Sequence, residues 1–126
     1  MMSVCVDPAR IGEVWPHFKH LIEKAVKRGT SEFDALERDV IRGGSLLWLA
    51  YDGTVHAAAV TKLYDGVCEI TACSGSNLKL FLPLIKDLEA FARDEKCRAV
   101  RVVGRKGWAR VLRAYQPVAT VLERPL

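Results

Sequence analysis

The first part of the chain repeats apolar and polar residues with the period of an α-helix. Over residues 11–26, apolar side chains recur every three or four positions, which predicts one amphipathic helix. Asp7 and Pro8 favour a helix start, since the aspartate can cap free amides and the φ angle of proline suits the first turn. We expect Gly29 to end this helix. Pro16 lies inside the pattern and is expected either to kink the helix or to mark a later start.

A second helical pattern follows directly. Thr30 and Ser31 can cap its first turn, and apolar side chains recur at helical spacing over residues 33–41. Gly43 and Gly44 are predicted to stop it. We expect the two helices to form an antiparallel or angled pair.

From residue 45 the pattern changes to that of β-strands. Strand-forming residues fill positions 45–51, 54–64 and 67–73, and an Asp-Gly pair separates each strand from the next, at 52–53 and at 65–66. Asp-Gly is a common hairpin turn because both residues tolerate positive φ angles. The sequence therefore predicts three antiparallel strands in a meander.

The remainder returns to mixed helix and strand. Residues 81–92 have helical spacing, and Pro83 fits only in the first turn of that helix or at a kink. The short β-branched segment 99–103 is typical of a strand buried on both faces, reached by a right-handed parallel crossover. We predict a short helix over 107–115 and a final strand over 118–123.

Composition indicates one globular domain over residues 1–126, with 50% hydrophobic and 27% charged residues. The apolar stretches are far shorter than the ~20 residues that cross a bilayer. The first residues lack the charged and apolar regions of a signal peptide. We therefore expect a cytoplasmic location.

The formal charge of +4 is concentrated between residues 98 and 113, where Arg101, Arg105, Lys106 and Arg110 lie. This cluster favours an anionic partner, and a solvated helix face without a ligand is the alternative. Aromatic residues do not alternate with the charges as a stacking platform for bases requires, so nucleic acid is not the partner we expect.

The chain also has residue types that react or bind metals. Four cysteines occur without a CxxC pair and are interpreted as reduced and structural, namely Cys5, Cys68, Cys73 and Cys97. The alternative for Cys73 is a reactive thiol beside a glycine turn. Glu13, His17 and His20 have helical spacing, but zinc requires three or four ligands with supporting partners, so we predict no metal site.

The order of the predicted elements resembles the GNAT acyltransferase superfamily over essentially the whole chain, with residues 3–6 as the first strand. The strand ending at 71–73, the polar turn 74–77, and the segments 98–103 and 104–112 are similar to small GNAT-like proteins encoded by tailed phages and prophages. The resemblance implies an α/β fold of order (β)ααβββαβαβ. Its sheet is mostly antiparallel, with one parallel β-α-β crossover.

The resemblance also implies acetyl-CoA as cofactor, with its pyrophosphate at the turn after the fourth strand. In active members this turn has a Gln/Arg-x-x-Gly-x-Gly/Ala pattern at a helix start, where free N–H groups and the helix dipole attract anions. The corresponding residues keep one glycine but not the full pattern: Cys73, Ser74, Gly75, Ser76 and Asn77. The alternative is a turn that only caps the next helix through Ser76 or Asn77.

Acyl transfer requires a base for the amine, and Glu69 is the candidate. Strand alternation places it on the same face as Val67, Thr71 and Cys73, on the strand that the resemblance assigns to the amine pocket. In the alternative interpretation, Glu69 pairs across the sheet with Lys62 or another cation.

The departing thiolate requires a proton, which many GNAT enzymes take from a tyrosine. Tyr115 is the nearest candidate here, and a packing role is its alternative. The family's usual tyrosine position is occupied by Arg110, which can stabilise a thiolate and is included among the predicted cofactor-binding residues. His56 follows the first hairpin and could face the same pocket.

Two functional hypotheses follow from the resemblance. The first is an acetyl-CoA-dependent N-acyltransferase acting on an amine of a small molecule or protein. The second is a non-catalytic phage or prophage protein, structural or host-interacting, with a vestigial cleft and in that case associated with the virion. Both hypotheses share one fold.

Overall fold

The computed structural model describes residues 2–26, 31–75, 78–102, 114–115 and 124–125. Its elements are β1 (Met2–Cys5), a 3₁₀ turn (Pro8–Arg10), α1 (Ile11–Ala25), α2 (Ser31–Ile41), β2 (Leu46–Tyr51), β3 (Val55–Tyr64), β4 (Val67–Gly75), α3 (Leu78–Asp94) and β5 (Ala99–Val102). This order confirms the prediction as far as β5. The predicted strand 118–123 and all but the last two residues of the predicted helix 107–115 lie outside the described residues.

The start and end of α1 differ from the prediction. Asp7 Oδ1 accepts a hydrogen bond of 2.9 Å from the Ala9 amide, but this caps the 3₁₀ turn, and α1 begins at Ile11. Pro16 lies inside the helix, so the later start is wrong. The helix ends at Ala25, before Gly29, because Val26 has an extended backbone.

The end of α2 confirms the prediction. The Gly43 amide donates to the Val40 carbonyl at 3.1 Å, and the Gly44 amide donates to the Asp39 carbonyl at 2.9 Å. Gly43 has a φ angle of 85°, which glycine adopts without a Cβ clash. In α3, Pro83 also lies inside the helix, past its first turn. No helix in the described ranges is long and apolar enough to span a lipid bilayer.

The five strands form one sheet in the order β1-β2-β3-β4-β5. Neighbouring strands from β1 to β4 are antiparallel, which confirms the meander and the first strand, and β4 and β5 are parallel. The α1 and α2 helices pack on one face of the sheet, over Leu47, Ala58 and Val60. The α3 helix packs on the other, over Ala59 and Ile70. These faces are called the α1/α2 face and the α3 face below.

A β-bulge interrupts β4. Val60 of β3 is opposite Ala72, but Thr61, the next residue of β3, is opposite Ile70, so Thr71 is an extra residue in β4. Its hydroxyl donates to the Val60 carbonyl at 3.3 Å. An inserted residue reverses the alternation of side chains beyond it.

The bulge corrects the predicted neighbours of Glu69. Ile70 and Cys73 both pack in the cluster on the α3 face, although they are three residues apart, and Ala72 packs on the α1/α2 face. Glu69 precedes Ile70 and therefore lies on the α1/α2 face. The expectation that Glu69 and Cys73 share a face is wrong.

Candidate functional site

Beyond its bulge, β4 has an edge with no strand partner among the described residues, which is called its unpaired edge below. Parallel pairing with β5 runs from Val67 to Ile70, the residue before the bulge, and the residues that follow Val102 lie outside the described ones. Pairing with β3 continues on the other side of β4 as far as Gly75. Over residues 71–75, the side of β4 away from β3 therefore has no strand partner in the described part of the chain. Peptide groups on such an edge can bond an extended ligand.

This edge includes three of the predicted cofactor-binding residues. The Cys73 side chain packs on the α3 face, and Ser74, opposite Ala58 in the register, lies on the α1/α2 face. Gly75 ends β4. Burial raises the pKa of the Cys73 thiol to about 12, so the thiolate needed for a reactive cysteine is scarce at neutral pH. The other three predicted residues, Ser76, Asn77 and Arg110, lie outside the described residues.

Glu69, the candidate base, belongs to a chain of three polar side chains. The Tyr64 hydroxyl donates to Glu69 Oε1 at 2.6 Å and accepts a 3.1 Å bond from Arg101 Nη1. Arg101 is also the register partner of Glu69 on β5. Glu69, Tyr64 and Arg101 are all partly buried. The carboxylate is thus held before the bulge, and the unpaired edge of β4 begins after it.

The alternative partner of Glu69, Lys62, is bound elsewhere. The two residues are opposite each other in the register, but Lys62 Nζ lies 3.3 Å from Asp39 Oδ2 at the end of α2. The Ser45 hydroxyl donates to the same oxygen of Asp39. The Ser45 hydrogen bond, and then Lys62, lower the pKa of Asp39 although its partial burial opposes them. Lys62 is therefore withdrawn towards α2.

Asp39→Asn is expected to lower the free energy of unfolding at pH 7 by about 1 kcal/mol, the net worth of such hydrogen bonds. Because the pKa of Asp39 is lower when folded, its contribution is present above the ordinary carboxyl pKa of about 3.9 and is lost as the pH falls below it. Urea unfolding between pH 7 and pH 3 should show the difference from wild type narrowing below about pH 4. Asp34→Asn, on the exposed side of α2, is the control. A pH-independent difference would contradict this assignment.

Tyr115, the candidate acid, packs against α3. Its hydroxyl donates to Glu89 Oε2 at 2.9 Å, and its ring contacts the cluster on the α3 face. Burial, followed by the hydrogen bond to Glu89, raises the pKa of Tyr115. A higher pKa makes proton release to a thiolate less favourable, so this contact favours the packing alternative.

The remaining candidates lie away from β4. His56 Nε2 bonds Asp52 Oδ1 in the β2–β3 hairpin. Glu13 pairs with Arg10 at 3.1 Å, and the His17 ring is 6.3 Å from that of Phe18. Within the described ranges, no three metal-ligating side chains come together. The four cysteines are free thiols.

Sequence reasoning missed Tyr64, although the sequence contains a signal for it. Tyr64 precedes the Asp-Gly turn at 65–66, and a two-residue turn pairs Tyr64 with Val67. Glu69 is then its diagonal neighbour on the same face. Arg101 was noted only as part of a basic cluster, since its approach to Tyr64 spans 37 residues.

No protein-family model matches the sequence, and no curated protein matches it. Solved structures match its fold. An aminoglycoside acetyltransferase from an uncultured soil metagenomic sample, in complex with sisomicin, superimposes with a TM-score of 0.72 at 10% identity, over 99% of this chain and 95% of that one.

Two further acetyltransferases are similar. One is a 6'-N-acetyltransferase of aminoglycoside antibiotics from Acinetobacter haemolyticus, with a TM-score of 0.69, 14% identity and coverage of 100% and 98% of the two chains. The other is a predicted acetyltransferase from Clostridium acetobutylicum with acetyl-CoA, with a TM-score of 0.67, 13% identity and coverage of 98% and 95%. The chain therefore has the GNAT-like fold, and its described residues form a mixed five-stranded sheet with parallel β4 and β5, flanked by three helices.

Proposed function

We propose that this protein is an acetyl-CoA-dependent N-acetyltransferase. The observation that carries the proposal is the bulge at Thr71, because an inserted residue bends β4 and increases its twist beside β5. The peptide groups of residues 71–75 are then available on one side to bond the amides of the coenzyme A arm, as an added strand would. A solved structure of the same fold contains acetyl-CoA.

The residues after β4 are proposed to hold the cofactor's phosphates. Gly75 has no side chain to obstruct an approaching group, and α3 begins at Leu78, so its N-terminal amides follow the turn closely. Ser74, Ser76 and Asn77 would add hydrogen-bond donors, and Arg110 a positive charge. Cys73 contributes its backbone, since its side chain packs on the α3 face.

Glu69 is proposed to take the proton from the acceptor amine, directly or through a water molecule. Acetyl-CoA supplies the thioester that the free amine attacks. A carboxylate positioned beside the reacting nitrogen can remove its proton as the new bond forms. The acceptor approaches from the α1/α2 face, where Glu69 lies. That Tyr115 donates a proton to the thiolate stays a prediction. In this role its hydroxyl would leave Glu89 and bond the sulfur of coenzyme A.

Two observations favour a second candidate, a non-catalytic protein with the same fold. The hydrogen bond of Tyr115 to Glu89 leaves the departing thiolate without an identified acid, and the 73–77 turn lacks the full phosphate pattern. Cofactor binding separates the candidates, because a vestigial cleft should not respond to acetyl-CoA.

Acetyl-CoA at millimolar concentration is expected to raise the midpoint of thermal unfolding by several degrees, since a ligand that binds only the folded state stabilises it by mass action. Free CoA and desulfo-CoA serve as ligand controls. Gly75→Trp should abolish the shift, because its indole would occupy the end of the β4 edge.

The matched control for this substitution is Gly12→Trp, because Gly12 is exposed on α1 with open space around it. This variant should keep the shift. No shift in the wild-type protein would overturn the enzyme proposal and favour the non-catalytic candidate. A shift that survives Gly75→Trp would place the cofactor elsewhere.

A further inference from the structure

Tyr64 stands between two charged side chains and is bonded to both. It donates to Glu69 Oε1 at 2.6 Å and accepts from Arg101 at 3.1 Å. The guanidinium polarises the hydroxyl and strengthens the bond that the hydroxyl donates to the carboxylate. The three side chains come from β3, β4 and β5, so this row of hydrogen bonds crosses three strands, and Glu69 lies two residues before the bulge at Thr71.

The charged groups around Glu69 leave Tyr64 as its hydrogen-bond donor in the described structure. Lys62 on β3 faces Glu69 but contacts Asp39 of α2. Arg101 on β5 is held by the Tyr64 hydroxyl. The titratable side chains of α1 are exposed, and Glu37 of α2 bonds Trp15. A bond at Oε1 restricts rotation of the carboxylate and leaves Oε2 for a second contact.

We infer that Tyr64 and Arg101 are positioning residues that fix the Glu69 carboxylate by its Oε1 atom and present its Oε2 atom to the acceptor amine. This inference rests on the proposed function. The resemblance to acetyltransferases gives no role to Tyr64 or Arg101. The Asp39–Lys62 pair assists by keeping an ammonium group from neutralising Glu69. Neither Tyr64 nor Arg101 touches the reacting atoms in this arrangement.

The test is a double-mutant cycle between Tyr64→Phe and Glu69→Gln, measured on the full chain. Turnover is followed by release of CoA from acetyl-CoA, with sisomicin, spermidine and a lysine-containing peptide as acceptor probes. Tyr64→Phe should lower kcat about tenfold and leave the KM for acetyl-CoA within twofold, because a bond to a charged group is lost while the β4 edge is unchanged. In the Glu69→Gln background, Tyr64→Phe should change kcat less than twofold, because the base that Tyr64 positions is already absent.

Two variants control for structural damage. Tyr51→Phe makes the same change at an exposed position of β2 and should leave kcat unchanged. Arg101→Lys keeps the positive charge and should retain more activity than Arg101→Gln. If the effects of Tyr64→Phe and Glu69→Gln on kcat multiply, or if Tyr64→Phe leaves kcat unchanged, the inference is overturned.

A second cycle needs no activity. Urea unfolding of the wild type, Tyr64→Phe, Glu69→Ala and the double variant, without ligand, should show a coupling of about tenfold in the unfolding equilibrium constant, because alanine removes the acceptor. Absence of this coupling overturns the inference even if the wild-type protein acetylates an amine. The thermal shift tests acetyl-CoA binding separately. If Tyr64 and Glu69 are coupled but acetyl-CoA does not bind, both the catalytic role of their contact and the proposed function are overturned.

Discussion

Glu69→Gln is expected to lower kcat for acetyl transfer by about 10²- to 10⁴-fold, the usual contribution of a positioned general base. Glutamine keeps the size of the side chain and still accepts a hydrogen bond from Tyr64, but it cannot take up the proton of the amine. Because Glu69 precedes the bulge and the unpaired edge follows it, the dissociation constant for acetyl-CoA should remain within about twofold.

The measurement combines initial rates of CoA release with calorimetric titration of acetyl-CoA. Glu23→Gln is the matched control, since Glu23 is exposed on α1. Its kcat should equal that of the wild-type protein. Full activity of Glu69→Gln would remove the base from the proposed mechanism. An equal loss of cofactor affinity would instead assign Glu69 to binding.

Trp48→Ala is expected to lower the free energy of unfolding by about 3–5 kcal/mol, as large-to-small changes of buried aromatic residues do. Trp48 is 6% exposed, and its ring meets Phe91 of α3 edge-on with centroids 5.1 Å apart. The substitution also removes the 3.0 Å bond from Trp48 Nε1 to the buried Thr61 hydroxyl. Such a loss is a large fraction of the 5–15 kcal/mol that stabilises a typical domain.

Urea unfolding followed by circular dichroism measures this effect. Tyr51→Ala is the matched control, because Tyr51 is an aromatic residue of the same strand that is 43% exposed. It should cost less than about 1 kcal/mol. A second variant, Trp48→Phe, keeps most of the ring and should be less destabilised than Trp48→Ala. A loss below about 1 kcal/mol for Trp48→Ala would mean that β2 and α3 are held together by other contacts.

The candidate site could be located from the sequence only in part. Glu69 and the 73–77 turn were identified through the resemblance, and Glu69 lies on the strand and near the edge that the proposal requires. The residues that contact Glu69 could not be identified from the sequence. The structure replaces Lys62 by Tyr64 as its partner, because the carboxylate of Asp39, which also accepts a hydrogen bond from Ser45, binds the ammonium group of Lys62.

The sequence by itself determined the order of the elements as far as β5, because helical and strand periods, the glycines at 43–44 and the two Asp-Gly turns are local signals. Only the tertiary structure decided the bulge at Thr71. Nothing local distinguishes an inserted residue from its neighbours, since insertion is defined by the register with β3. That one residue sets which face Cys73 occupies. The Arg101–Tyr64–Glu69 chain was likewise decided by strand pairing, which brings together residues from three strands.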